Sequence, residues 1–440
     1  DVVGFAMENL SNNTAASATP LAPLAGAEGW FGFTGALPAG PGNGPHEIAS
    51  GDLDGDGHQD LVVANIASAD LVVLPGNGDG TFGLPRAVPG GGGSVALALG
   101  DMDGDGDLDV VASNHYVHTV SVVENLGGLM FAAPVSVPVG QYPRNVRLGD
   151  LDGDDRPEIV VPMHSRDYLT VLKRQPDGSF EGTNYPNGGN AWSVAVADIN
   201  RDGFADVVSV SHDRTGFQVL LNHGDGRLGA ASTVGTDASM IDVGLADMDG
   251  DGNQDMVGVV HGDGSLRVFR GDGAGGFGDG SSVPGVAGGA YHLVLNDLDD
   301  DGDRDAVVAA YGASRVAVHL NPGTGRPGPG FAYPAGGNPI AIAVGDWNED
   351  GVKDLATANY SDGTAGIWLG RRGVVMTEEP AGLFTTLGRG ALGVWDDVDY
   401  FRFTAKAGDL LVVGVETVGS PGASQDRKST RLNSSHANIS

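Results

Sequence analysis

Carboxylates recur seven times along the chain in the order Asp-x-Asp/Asn-x-Asp-x-x-x-Asp/Glu, at intervals of 48 to 50 residues. Carboxylates two apart on a loop can converge on one hard cation, and calcium takes six to eight oxygens at flexible geometry. The predicted ligands are Asp52, Asp54, Asp56 and Asp60 in the first loop, Asp101, Asp103, Asp105 and Asp109 in the second, and Asp150, Asp152, Asp154 and Glu158 in the third. The fourth loop offers Asp198, Asn200, Asp202 and Asp206, and the fifth Asp247, Asp249, Asp251 and Asp255. The sixth offers Asp297, Asp299, Asp301 and Asp305, and the seventh Asp346, Asn348, Asp350 and Asp354. A backbone carbonyl at the seventh loop position completes each set, from His58, Asp107, Arg156, Phe204, Asn253, Asp303 and Val352.

Rival chemistries fit less well. Asp and Gly favour turns in any case, but seven copies in register argue against a string of plain acidic turns. An EF-hand needs Glu at position 12 and flanking helices; here Val63, Ala112 and Val161 hold that place and a strand-like run follows. Magnesium prefers fewer protein ligands and more water. Gly57 allows the sharp turn the loop needs. The third loop departs from the pattern, with Asp155 in place of glycine and Arg156 and Pro157 after it. Looser binding there, or partial displacement of the ion by the arginine, is the expectation.

Regular spacing near 49 residues indicates a repeat architecture. Each loop is preceded by a short alternating run such as Val95-Ala96-Leu97-Ala98-Leu99. Two apolar runs follow it, such as Leu61–Ala64 and Leu71–Leu74, then a turn such as Asn77-Gly78-Asp79-Gly80. These are strand and hairpin signals, and no helical period sustains itself. Four short strands in each of seven units predict an all-β, seven-bladed β-propeller over residues 28–373, with a linear solenoid as the competitor. Residues 1–27 are irregular and are either the stub of an eighth unit or the source of the ring-closing strand. Residues 374–425 carry a different pair of strand-like runs and form a partial β-sandwich segment; residues 426–440 change composition again and read as a non-native tail.

Composition narrows the function. Formal net charge is −33, yet 26 of the 57 Asp and Glu residues are predicted ligands in the loops, and seven divalent ions would leave about −19. The only lysines before residue 372 are Lys173 and Lys353, and there is no basic cluster, so no nucleic-acid partner is expected. The 74 glycines sit at fixed offsets in loops and turns. Without cysteine there is neither a disulfide scaffold nor a thiolate zinc site. No apolar run approaches the 18 to 20 residues of a membrane span. The chain starts at Asp1 rather than Met, so its natural N-terminus is expected to lie outside it.

The aromatic-small starts Phe82-Gly83, Phe131-Ala132, Phe180-Glu181, Phe277-Gly278 and Phe331-Ala332, the Gly/Pro links and the acidic loops resemble the FG-GAP and VCBS repeat family, which includes the integrin α-subunit propeller. The resemblance covers roughly residues 28–370 and implies a seven-bladed propeller with calcium between the first and second strands of each blade, up to seven ions in all. Residues 374–425 resemble the start of a bacterial pre-peptidase C-terminal domain, and the last 15 residues resemble a tail on unrelated proteins from assembled sequence data. At ten times its dissociation constant one ion adds about 1.4 kcal/mol, and seven add on the order of 10 kcal/mol, so a structural role for calcium is expected. Extracellular modules bind at about 10⁻⁴ to 10⁻³ M, which cytosolic calcium would not fill; an exported, surface or secreted protein is expected.

A second constellation lies outside the loops. Six residues after each last ligand come Ile66, His115, His164, His212, His261, Tyr311 and Tyr360; six before each first ligand come His46, Val95, Arg144, Trp192, Ile241, Tyr291 and Ile340. Both series fall on the face opposite the loops and together predict a mouth of ring side chains. That mouth is either a binding surface for a glycan or protein, or a set of rings packed on neighbouring blades. Successive-blade histidines are too widely spaced for zinc at about 2 Å. Three functions follow: a non-catalytic adhesion or ligand-binding propeller, a polysaccharide-active enzyme built on that scaffold, and an accessory part of a secreted hydrolase whose catalytic domain lies elsewhere. No nucleophile elbow appears, and few cations beyond Arg144, Arg166 and Arg214 are placed to meet a substrate carboxylate.

Overall fold

Each repeat folds as an antiparallel four-stranded sheet in the computed structural model, which describes residues 31–39, 44–68, 70–286 and 288–370 together with four short strands beyond them. Blade 1 is built from Pro45–Gly51, Asp60–Asn65, Asp70–Leu74 and Arg86–Pro89, in that spatial order. Five more blades repeat the pattern up to Phe331–Pro334. First strands of neighbouring blades adjoin one another and line the centre of the ring.

The second strands explain why blades stack. Asp60–Asn65, Asp109–Asn114 and Asp305–Ala310 are buried at every residue. A strand covered on both faces reads as a continuous apolar run, which is what Leu61-Val62-Val63-Ala64 is. Outermost strands such as Arg86–Pro89 and Val135–Pro138 are largely exposed and polar or proline-bearing. The core is therefore seven wedges, one at each blade–blade interface. Each wedge contains the residue at the second position of one acidic loop: Leu53, Met102, Leu151, Ile199, Met248, Leu298 or Trp347.

Closure comes from the N-terminal side. Blade 7 consists of Pro339–Gly345, Asp354–Asn359 and Thr364–Gly370, and its outermost strand is Phe31–Pro38. The pairing runs antiparallel from Phe31 opposite Gly370 to Pro38 opposite Thr364. The closing strand thus lies just beyond residues 1–27. Sequence units begin with the outermost strand of one blade and end inside the next, and this offset is what lets the first strand of the chain complete the last sheet. Trp347 seals the blade 7–blade 1 interface; it is 1% exposed and its indole N–H donates to Ser50 Oγ at 2.9 Å.

The ring belongs to a unit of residues 30–371, and a second unit comprises residues 1–29 and 372–440. Of the second, only Met376–Glu378 paired with Phe384–Thr386 and Leu411–Val415 paired with Lys428–Leu432 are described. The N-terminal segment, the pre-peptidase-like segment and the 426–440 tail otherwise lie outside the described residues.

Trp347→Ala removes a fully buried indole and its bond across the closure. A loss of about 3–5 kcal/mol is expected, measured by urea unfolding; a loss below about 1 kcal/mol would show that closure does not depend on this side chain.

Candidate functional site

Every acidic loop is the hairpin connection between the first and second strands of its blade. Gly51 faces Asp60, Gly100 faces Asp109 and Gly345 faces Asp354 across the ladder. The loop backbone wraps its own carboxylates. In the first loop Asp52 accepts from the N–H groups of Gly55 at 2.8 Å and Gly57 at 3.0 Å, Asp54 from Asp56 at 3.2 Å, and Asp56 from His58 at 2.8 Å. Two left-handed residues permit this, with φ of 74° at Gly55 and 93° at Gly57. Asp155 takes the second of these conformations in the third loop at φ 65°, which Asp tolerates better than most L residues.

The wrapped carboxylates converge. One oxygen from each of Asp52, Asp54 and Asp60 lies within 4.8 Å of the others, and the same holds for Asp101, Asp103 and Asp109; Asp150, Asp152 and Glu158; Asp247, Asp249 and Asp251; and Asp297, Asp299 and Asp305. In the fourth and seventh loops an amide takes the third position: Asn200 Nδ2 donates to Asp202 at 2.9 Å and Asn348 Nδ2 to Asp350 at 3.0 Å. Asp152, Asp198, Asp249, Asp297 and Asp299 each hold a buried Oδ1 that meets no hydrogen-bond donor. Burial first, then the charge of Asp301, pushes the Asp299 carboxyl up to about 6. Desolvated, donor-free carboxylate oxygens at this spacing fit the donor set of calcium.

The ninth-position carboxylate has a second task that its spacing did not reveal. Asp60 accepts from Leu53 N–H at 2.9 Å and from Gly76 N–H at 2.8 Å, tying the start of its loop to the end of the third strand. Asp109, Asp206, Asp255, Asp305 and Asp354 make the same two bonds, at 2.7 to 3.0 Å. All six are buried, and burial raises Asp109 and Asp354 to about 6 and Asp305 to about 7. In alternate blades an asparagine extends the tie. Asn125, Asn222 and Asn321 each donate Nδ2 to the second loop position of the preceding blade, to Leu53, Leu151 and Met248 carbonyls at 2.6 to 2.7 Å.

The third loop holds a cation of its own. Lys173 Nζ, reaching in from the third strand of that blade, contacts Asp152, lies 3.1 Å from Asp154 and 3.6 Å from Glu158. The expectation that Arg156 would displace an ion is corrected: its guanidinium lies beside Gly104 of the neighbouring loop, and the lysine occupies the cage instead.

At the opposite ends of the sheets the ten predicted ligand-face residues form two arcs. One runs from His115 to His164 (ring centroids 6.3 Å), His212 (5.9 Å) and Trp192, which stacks on His212 at 4.6 Å; Arg144 lies 3.9 Å above the Trp192 ring. The other runs from His261 to Tyr291 (4.9 Å), Tyr311 (4.8 Å), Tyr360 (6.4 Å) and His46 (6.4 Å). The rings also pack between blades. His46, His115 and His261 each bond through Nδ1 to a carbonyl near the start of the next blade, on Val95 at 2.7 Å, Pro143 at 3.0 Å and Ala290 at 2.8 Å. Burial, with Arg144 nearby, lowers His46 to about 3 and His115 to about 4, so both are neutral.

Two features of the mouth were not legible in the spacing. A register shift in the first strand leaves His46, Val95, Tyr291 and Ile340 unpaired in their blades; a bulge of this kind re-aims a side chain. Next to the rim residues, Glu47, Asn145, Ser193, Asp242 and His292 reach a central cavity of about 40 Å³. Asp242 accepts from Ser193 Oγ at 2.5 Å and Leu293 N–H at 2.8 Å, and Glu47 lies 3.5 Å from His292 Nε2. The only sequence signal was their place one residue after the rim series.

The FG-GAP-like repeat family model matches residues 52–112, 101–161, 163–209, 200–258, 247–308 and 297–357. No curated protein matches the chain. Similar solved structures include an Agrocybe aegerita lectin described as recognising non-reducing terminal N-acetylglucosamine, at 23% identity and TM-score 0.52, covering 72% of this chain and 86% of the lectin. Virginiamycin B lyase from Staphylococcus aureus aligns at 11% identity and TM-score 0.56, covering 77% and 99%. Kuenenia stuttgartiensis hydrazine synthase aligns at 14% and 0.54, covering 75% and 95%. At these identities the likeness is one of fold.

Asp206→Ala orphans two buried N–H groups. In chelator it is expected to lose about 2–5 kcal/mol, while the exposed Asp202→Ala changes stability little. Equal losses in urea unfolding would refute the structural role of the ninth position.

Proposed function

The chain belongs to the FG-GAP-like repeat family, and on that premise we propose that it is a non-catalytic, calcium-stabilised propeller of an exported protein that binds a glycan or protein ligand at the mouth opposite its acidic loops. The observation that carries this reading is the pair of aromatic and imidazole arcs around a small polar cavity. Binding sites combine apolar ring area with a few placed polar groups. The lectin shares the ring and supports a carbohydrate ligand; the lyase shares it too, so turnover belongs in the test.

Calcium is supported by the convergent oxygens and by the donor-free Oδ1 atoms of the loops. With Lys173 filling the third cage, six ions is the count this reading implies. Six at tenfold excess over their dissociation constants add about 8 kcal/mol. The ions would stand at the ends of the sheets away from the mouth, where their role is to hold loops rather than to touch ligand. Among the described residues no helix is long and apolar enough to cross a membrane.

Calorimetry should count six calcium ions, a chelator should lower the melting temperature, and Lys173→Ala should raise the count by one. An unchanged melting curve in chelator would refute the metal reading. A glycan array paired with turnover assays tests the rest: binding without turnover is expected, and turnover of a bound saccharide would make the protein an enzyme.

A further inference from the structure

Arg144 stands out among the charged groups of the mouth. Its guanidinium lies over the Trp192 ring, and among the described residues no carboxylate is within ion-pair distance of it and no acceptor meets its N–H groups. Burial lowers its pKa to about 10, so it remains charged near neutrality. Arg144 is half-buried, and a guanidinium whose donors meet no protein acceptor offers a planar fork that an anion can fill. The two carboxylates of the same cavity do not serve: Asp242 is engaged by Ser193 and Leu293, and Glu47 faces His292. Beside Arg144, Asn145 holds a buried Oδ1 without a donor. One unmatched donor group and one unmatched acceptor therefore line the same cavity.

Size narrows the ligand. A space of about 40 Å³ holds more than one water and has room for a group of carboxylate size. On the rim around it Tyr291, Tyr311 and Tyr360 offer apolar faces to the body of a ligand. A pyranose presents one C–H face to such rings and a ring of hydroxyls to polar groups.

We propose that the mouth takes an acidic saccharide: the carboxylate of a uronic acid enters the cavity and pairs with Arg144, a neighbouring hydroxyl donates to Asn145, and the sugar ring rests on the tyrosine arc. This rests on the glycan reading above and adds the charge that the glycan must carry. The acidic loops lie at the far ends of the sheets, and the two carboxylates of the cavity are turned to other partners, Asp242 to Ser193 and Leu293 and Glu47 to His292.

Calorimetry on the full chain in calcium, with a galacturonate disaccharide and its methyl ester, tests the assignment. The acid is expected to bind roughly tenfold or more tightly than the ester. Arg144→Gln should bring the acid down to the ester's affinity, with its unfolding midpoint as the folding control. Equal binding of acid and ester by the native chain overturns the role of Arg144 while leaving a glycan ligand standing. A short peptide with a free C-terminal carboxylate binding more tightly than the uronate overturns the saccharide. If no saccharide of either charge binds, this inference and the glycan reading fall together.

Discussion

The ring depends on a buried carboxylate that accepts two backbone N–H groups. In each of six blades the ninth loop position joins the start of the acidic loop to the end of the third strand, 16 residues further on. The first of those bonds comes from the residue at the second loop position, whose side chain is the wedge between two blades. One carboxylate thus fixes the loop, the blade edge and the depth of an interface core. Such a group is expensive to bury ionised, which is why burial lifts these carboxyls so far. A divalent ion beside it would lower that cost, and loop chemistry and core packing would then stabilise the same geometry.

The third blade shows what happens when that compensation comes from within the chain. Glu158 replaces aspartate, Asp155 adopts the left-handed turn without glycine, and Lys173 supplies the positive charge. A monovalent ammonium on a flexible stem neutralises less charge than calcium but needs no ion in solution. Trp347 plays a comparable special part at the closure, where Phe31–Pro38 completes a sheet begun more than 300 residues later. The largest side chain of the second-position series stands at the interface where the ring must join.

At the mouth the two readings of the ring residues are not alternatives. The imidazoles of His46, His115 and His261 bond to the next blade and so brace the ring. The same bonds hold the rings in fixed orientation, which lowers the entropic cost of presenting them to a ligand. Burial keeps His46 and His115 neutral, and the guanidinium of Arg144 meets no carboxylate of the mouth.

The sequence by itself determined the repeat, the four strands of each blade, the seven acidic loops and the two series that gather at the mouth. These follow from period, alternation and spacing, which are local and survive the loss of all tertiary information. Only the tertiary structure decided that Phe31–Pro38 closes the ring, because closure pairs residues with no sequence relation to one another. It decided that Lys173 rather than Arg156 enters the third cage, because a long side chain from another strand can reach where a loop neighbour points away. It placed Asn145 and Arg144 in one cavity and left both unmatched, since which polar groups find partners depends on contacts between blades, and those are set by how seven wedges pack rather than by any one repeat.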